Sequence, residues 1–445
     1  MNDQELVILI VACQLHNPIE TALALFFRTF APSNSIMEYL FHTLPNGIRI
    51  VHRCTDTLVG HLAVMINTGT RDEESTEAGL AHFIEHMIFK GTNKRKLHHV
   101  LGYLENIGAD LNAYTTKEET CIHASFIGQY YSRAFDLFAD ILTNSTFPEK
   151  EIEKEKAVVI DEINGYKDTP AEMIFDDYEE MIFRDHPLAK PILATPSAVR
   201  KINRKRILSF ISRHYNTDQI VISSVGNITF KKIIKHAEAY FGVIPPNLRI
   251  KNRVPFNDYQ KKDTVLKKTG FQTHCIIGGL AYSYADQRRT PLALLTNMLG
   301  GPAMNSRLSM ALRERSGISY NIESAYTPYC DTGSFMIYLG IDNGSLDKAL
   351  YLVNRELGKF RDKKLGTMQL HMAKQQFAGQ LAISFESNLN DALSMAKSVL
   401  VYNTVDTPDM LIKKILAVSA TDLLDIANEI MDPAKMSSLI YLNKK

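Results

Sequence analysis

Two histidines and a glutamate fall within five residues of one another, as His82, Glu85 and His86. On a helix, residues i and i+4 project from the same face, so both imidazoles can bind one metal ion. Glu85 then stands beside the metal as a carboxylate that is able to take a proton from water. The spacing predicts a zinc site with a general base, in the reverse order of the common His-Glu-x-x-His arrangement.

A catalytic zinc ion usually has three protein ligands and one open position. Glu162 is the candidate for the third ligand, and it lies on a predicted helix over residues 148–164. Glu155 precedes it by two helical turns on the same face. We expect this second carboxylate to accept a hydrogen bond from the free nitrogen of a ligating histidine.

A solvated helix surface is the alternative interpretation of these residues. With 14 histidines in the chain, the five-residue motif arises by chance in about one such sequence in forty. The neighbouring residues favour the metal, because Leu80, Phe83 and Met87 are apolar and predict a buried helix. Buried imidazoles cost free energy unless a partner such as a metal satisfies them. The adjacent pair at 98–99 does not share a helix face and is predicted to be surface.

The helix that carries the motif is predicted to begin at Ser75 or Thr76 and to end at Gly91, a usual C-terminal glycine position. Strands are predicted on both sides of it, at about 48–51, 60–67, 110–115 and 120–127. Helices are predicted at 97–107, 131–142 and 148–164. Strands mixed with helix pairs indicate an α/β (α+β) fold class.

A repeated pattern divides the chain into two halves. A helix, a polar break and an apolar strand occur at 207–225 and again at 423–442. We therefore predict homologous halves at 37–240 and 260–445, joined by a linker at 241–259 and preceded by an N-terminal extension of uncertain status at 1–36. The His-x-x-Glu-His pattern is present in the first half alone, so the second half must serve another role.

Composition excludes several classes of protein. The 445 residues carry 50 Lys plus Arg against 49 Asp plus Glu, so no overall field attracts nucleic acid or an anionic membrane. Five widely spaced cysteines argue against a disulfide framework. The apolar run at 6–13 is too short to span a bilayer and lacks a basic flank, so we expect no membrane span and a cytoplasmic location.

The segment 79–92 resembles the inverzincin peptidases, specifically the pitrilysin and mitochondrial processing peptidase family. The resemblance covers nearly everything after Met37. It extends to the spacing from His86 to Glu162, to Asn112-Ala-Tyr-Thr115 with Glu118, and to residues 312–320 of the second half.

The resemblance implies two halves, each a mostly antiparallel sheet with packed helices, that face each other across a chamber. One Zn²⁺ per chain is expected, and a substrate peptide adds as a strand at the edge that contains Asn112 and Ala113. In such proteins, the residues that match Arg313 and Tyr320 reach the substrate, and the tyrosine supports the oxyanion. From the residues alone, these two are an ordinary surface arginine and a strand tyrosine.

The sequence therefore predicts a zinc-dependent endopeptidase that cleaves extended or unfolded peptides. A non-catalytic structural or assembly subunit with the same fold is the alternative, and a peptide-binding module with structural zinc is a weaker one. Family members of this length often pair, which implies a homodimer or pairing with a homologue.

Overall fold

The computed structural model describes residues 38–444, so the predicted extension at 1–36 lies outside the described residues. The strands are β1 (Tyr39–Thr43), β2 (Arg49–Cys54), β3 (Val59–Ile66), β4 (Asp110–Thr115), β5 (Thr120–Ile127), β6 (Ile220–Gly226), β7 (Asp263–Thr269), β8 (Thr273–Ala281), β9 (Ser319–Pro328), β10 (Gly333–Ile341) and β11 (Ser437–Lys444).

The α-helices are α1 (Leu80–Met87), α2 (Leu97–Glu105), α3 (Tyr131–Thr143), α4 (Glu149–Lys167), α5 (Pro170–Phe183), α6 (Pro196–Val199), α7 (Arg204–His214), α8 (Phe230–Tyr240), α9 (Arg289–Gly300), α10 (Leu346–Asp362), α11 (Thr367–Ser384), α12 (Asn388–Tyr402), α13 (Pro408–Ala417) and α14 (Ala420–Ile430). A π-helical turn covers Ser309–Glu314.

Two mixed sheets organise the fold. The first has the order β1-β2-β6-β3-β5-β4, and only the β2–β6 pair is parallel. The second has the order β7-β11-β8-β10-β9, and only the β7–β11 pair is parallel. The second sheet therefore reproduces the first from β2 to β4, as the repeated sequence pattern predicts.

Each sheet has one face covered by helices close to it in sequence. Helices α3 and α8 pack on the first sheet, and α9, α10 and α14 belong to the core of the second. Residues 245–262 contain neither helix nor strand and connect α8 to β7. The predicted boundaries at 240 and 260 stay predictions.

The opposite face of each sheet is covered by a helix from the other half of the chain. We call α5 and α12 the exchanged helices. Helix α12 packs on β2, β3 and β6, where Met395 and Val399 join the apolar side chains of the first sheet. Helix α5 packs on β8 and β11, where Tyr178 and Ile182 contact the second sheet. Within residues 38–444, neither sheet has both faces covered by its own half of the chain.

Helix α1 begins at Leu80 and not near Ser75 or Thr76 as the capping pattern predicts. Gly79 precedes it in the left-handed region with φ +80°, and a Cβ there would lie 2.4 Å from that of Ala194, so both the backbone conformation and the close approach favour glycine. The buried Glu73 carboxylate caps the helix by accepting hydrogen bonds from the N–H groups of Gly79 and Ala81. The loop carboxylate replaces the expected serine or threonine cap.

Across residues 38–444, every helix is too short or too polar to cross a bilayer.

Candidate metal centre

Three side chains from two helices converge on one point. The Nε2 atoms of His82 and His86 on α1 are 3.3 Å apart. Glu162 on α4 places one carboxylate oxygen 3.8 Å from Nε2 of His82 and the other 3.6 Å from Nε2 of His86. The three residues form a ligand group whose atoms all lie within 4.8 Å of one another.

The residues fit a zinc ion. Two ligand atoms that each lie about 2.1 Å from a tetrahedral zinc are separated by about 3.4 Å, and the three observed distances are close to that value. Two imidazole nitrogens and one carboxylate form one of the known ligand sets of catalytic zinc sites. Such a set leaves the fourth position open.

Burial shifts the pKa of two side chains at the site, His82 and Glu85. Desolvation, and secondly the neighbouring His86, lower the pKa of His82 to about 4, so its ring is neutral at pH 7 as metal binding requires. Burial raises the pKa of Glu85, an effect to which Glu162 adds and which the Thr115 hydroxyl and His86 oppose. Glu85 is thus a half-buried carboxylate with raised proton affinity beside the ligand group.

Outer contacts orient the ligands. Nδ1 of His86 lies 3.0 Å from Oε1 of Glu155, which is buried, so the ring donates its Nδ1 hydrogen and turns its Nε2 lone pair toward the other ligands. Lys90 binds the second oxygen of Glu155 at 2.6 Å. The sequence did not single out Lys90, although it lies four residues after His86 and so on the same face of the helix that the sequence predicts as far as Gly91.

Strand β4 forms one wall of the site. Asn112 and Ala113 line a cavity of about 370 Å³ together with Glu85, His86 and Glu155. Among the described residues, β4 forms a ladder with β5 alone, so its other edge is free. The unpaired edge of a strand can accept an extended peptide as an additional strand.

Arg313 and Tyr320 are not among the residues that line this cavity. The lining residues, as far as the chain is described, all lie between Glu85 and Glu155. Tyr320 is 78% exposed on the outer strand β9, and the Arg313 guanidinium lies 6.0 Å from its ring and pairs with Glu314. The two residues thus lie close together on the second half, outside the cavity lining, and the tyrosine is the exposed member.

Two family models match successive parts of the chain. The model described as "Insulinase (Peptidase family M16)" matches residues 51–196, which include all the residues of the metal centre. The model described as "Peptidase M16 inactive domain" matches residues 201–377.

The chain is also similar to known proteins over most of its length. It is 31% identical over 390 residues to an uncharacterised zinc protease of Bacillus subtilis, covering 87% of this chain and 95% of that one. An uncharacterised zinc protease of Rickettsia bellii is 30% identical over 380 residues, covering 85% and 92%. In structure, the chain resembles a protease from Helicobacter pylori, with a TM-score of 0.84 at 20% identity and coverage of 92% and 100%. It also resembles a peptidase M16 inactive domain from Pseudomonas fluorescens, with a TM-score of 0.85 at 17% identity and coverage of 92% and 99%.

Proposed function

The chain belongs to the insulinase family of peptidases, Peptidase family M16, and from this premise we propose that it is a zinc-dependent endopeptidase that cleaves extended or unfolded peptides. The observation that carries the proposal is the convergence of His82, His86 and Glu162 beside the carboxylate of Glu85. One Zn²⁺ per chain would be held by these three ligands. A bound zinc ion supplies Lewis acidity, which polarises a peptide carbonyl and acidifies water.

Glu85 acts as general base and then as general acid in the proposed reaction. It accepts a proton from the attacking water and later delivers that proton to the leaving amine. Its raised pKa, which results first from burial, brings its proton affinity closer to neutral pH and so suits both transfers. Glu155 keeps the His86 ring in the orientation that its hydrogen bond fixes.

The substrate binds as an added strand on β4. Asn112 and Ala113 belong to the free-edged strand and line the cavity beside Glu85. Main-chain hydrogen bonds to such an edge hold any extended peptide, and pockets for alternate side chains set preference. This binding mode requires an unfolded or flexible segment.

Arg313 and Tyr320 act on the substrate from a second chain in this proposal. Within one chain they are not among the residues that line the cavity, and Tyr320 is exposed and accessible to another surface. Pairing as a homodimer, or with a homologue, would place a phenol where it can stabilise the oxyanion and a guanidinium where it can bind the peptide.

A non-catalytic assembly subunit is not favoured. Such a role requires no ligand set, whereas His82, His86 and Glu162 converge and Glu155 orients one of them. The buried imidazole of His82, whose pKa is depressed by burial, carries a cost that a purely structural helix would avoid.

A protease assay tests the proposal directly. The zinc-loaded protein is incubated with a mixture of unfolded peptides, with and without a chelator, and the products are identified by mass spectrometry. We expect internal cleavage that the chelator abolishes and that added zinc restores. The Glu85→Gln protein serves as the control for contaminating proteases. Cleavage that persists in the chelator, or equally in the control, would overturn the proposal.

A further inference from the structure

The turn that joins β4 to β5 carries three consecutive charged side chains that are almost completely buried. Lys117, Glu118 and Glu119 are 5%, 4% and 8% exposed. Charged residues in a short turn are ordinarily solvated, and burial of each one demands a partner. We call residues 116–119 the junction turn, because each of these side chains binds a different part of the chain.

Glu118 connects the junction turn to the loop between β9 and β10. It accepts hydrogen bonds from Arg71 at 2.7 Å and from the main-chain N–H of Cys330 at 3.1 Å. Arg71 in turn binds both oxygens of Asp331, at 2.6 and 2.7 Å. The Arg71 guanidinium lies among the Glu118, Cys330 and Asp331 side chains, so this acidic group is an ion-pair cluster and not a metal site.

Glu119 and Lys117 connect the same turn to the two exchanged helices. Glu119 forms an ion pair with Lys397 of α12, whose ammonium group lies 4.9 Å from the centre of the Tyr284 ring. Lys117 pairs with Glu179 of α5 at 3.2 Å. Three side chains of one turn thus reach a loop of the second half and both helices that cross between the halves.

The junction turn directly continues the strand that forms the wall of the metal centre. Thr115, the last residue of β4, stands beside Glu85, while Asn112 and Ala113 line the cavity. A strand with a ladder on one side alone is held less firmly than a central strand, so the attachment of its end affects its position. Glu119 lies four residues after Thr115 along the backbone, in the turn that leads from β4 to β5.

We propose that Glu119 and Lys397 are positioning residues for substrate binding, through which the second half fixes the edge of β4 that receives the peptide. This inference rests on the proposed function, because it requires that a peptide adds to β4. The residues touch neither metal nor substrate. Their ion pair sets the geometry of an edge that must match the main chain of an extended peptide.

The experiment compares two substrates in the zinc-loaded protein at pH 7. One is an extended peptide long enough to pair along β4, and the other is a short blocked peptide that reaches the metal centre without pairing along the strand. For Lys397→Met, we expect KM for the long peptide to rise about tenfold, with kcat and the short peptide changed less than about twofold. Zinc content should equal that of the wild type.

Asp391→Asn is the matched control. Asp391 lies on the same helix and forms a buried ion pair with Arg53 of β2, so it also joins the halves, but on a strand that does not line the cavity. This variant should lower the melting temperature without the selective rise in KM. Lys397→Arg should keep the binding of the long peptide, and Glu119→Gln, which removes the same ion pair, replaces Lys397→Met if the latter does not fold.

Hydrogen exchange provides a readout that does not depend on turnover. Amides of residues 110–115 should exchange faster in Lys397→Met than in Asp391→Asn at equal loss of melting temperature. Equal exchange in the two variants, or equal KM changes for both substrates, would overturn the inference while the proposed function stands. If the wild type shows no zinc-dependent cleavage, the proposed function and the inference that rests on it are both overturned.

Discussion

Glu155 accepts a hydrogen bond from Nδ1 of His86 at 3.0 Å, and the Nε2 atom of the same ring lies 3.3 Å from Nε2 of His82. The carboxylate therefore decides which ring nitrogen carries the hydrogen and which one is free to bind a metal ion. Because Lys90 binds the other oxygen of Glu155, the orientation of His86 depends on a chain of two contacts behind it.

Glu155→Gln should lower the affinity for zinc about 10- to 100-fold, because the amide accepts the Nδ1 hydrogen more weakly and loses the pairing with Lys90. Competition with a calibrated chelator measures this affinity. Glu153→Gln is the control, since Glu153 lies on the same helix with a side chain that is 70% exposed. Equal affinities in the two variants would remove Glu155 from the site.

Glu85→Gln should abolish turnover while zinc stays bound. The amide keeps the shape of the side chain but cannot accept the proton, and Glu85 is not among the three converging ligands. Zinc content by mass spectrometry and cleavage of an extended peptide are measured on the same sample. A variant that retains wild-type turnover would show that another group is the base.

Glu162→Ala should lose zinc and activity together, because two histidines alone leave a weakly held metal. Zinc is measured after dialysis against buffer without metal. The melting temperature of the zinc-free variant should match that of the zinc-free wild type, since the Glu162 side chain is 43% exposed. Full zinc occupancy after dialysis would place the third ligand elsewhere.

Mixing two variants that are each defective in turnover tests whether Tyr320 acts from a second chain. Tyr320→Phe should lower kcat on the order of a hundredfold, as expected for the loss of an oxyanion donor. If the donor belongs to the partner, a mixed pair of Tyr320→Phe and Glu85→Gln chains contains one intact site, so mixing should restore part of the activity. Arg313→Ala should raise KM in the same assay.

Activity that stays at the sum of the two separate variants would instead show that Tyr320 acts within its own chain or not at all. Exchange of protomers is followed independently by native mass spectrometry of isotope-labelled chains, so a failure to mix is recognised.

Lys397 makes the stability of the protein depend on pH in the alkaline range. Burial lowers its pKa from 10.5 to about 8, although Glu118 opposes this effect. Between these two values, the unfolded chain binds a proton that the folded chain has released, so the free energy of unfolding rises with pH. The unfolding free energy of the wild type minus that of Lys397→Met should therefore increase from pH 7.5 to 10. Denaturant titration of both proteins measures this difference. A constant difference would mean that Lys397 has an ordinary pKa in the folded protein.

The spacing of His82, Glu85 and His86 predicted a common helix face, because helical periodicity is local and can be read from the sequence. The position of Glu162 on a second helix was predictable for the same reason, although its approach to the histidines depends on how the two helices pack. The start of α1 was predicted wrongly. Its cap is the Glu73 side chain, a loop residue whose role depends on folding of the chain onto Gly79 and Ala81.

The features that could not be predicted from the sequence depend on long-range contacts. The apolar faces of α5 and α12 indicate that both helices are buried, but periodicity does not reveal which sheet a face will cover. The ion pairs of Lys117, Glu118 and Glu119 join residues that are far apart in the sequence. From the sequence alone, three consecutive charged residues in a turn indicate a solvated surface.

The exchange of α5 and α12 also means that the first sheet is synthesised well before the helix that covers it. Strand β6 completes the centre of the first sheet at Gly226, yet the helix that covers its far face begins at Asn388. At about 5–20 residues per second, the ribosome needs on the order of 8 to 30 seconds to synthesise the intervening segment of roughly 160 residues. During that interval, Val51, Met65 and Val221 present an uncovered apolar surface on a sheet that is otherwise ready to form. Nascent chains of this protein should therefore occupy a chaperone that binds exposed apolar surface until α12 emerges.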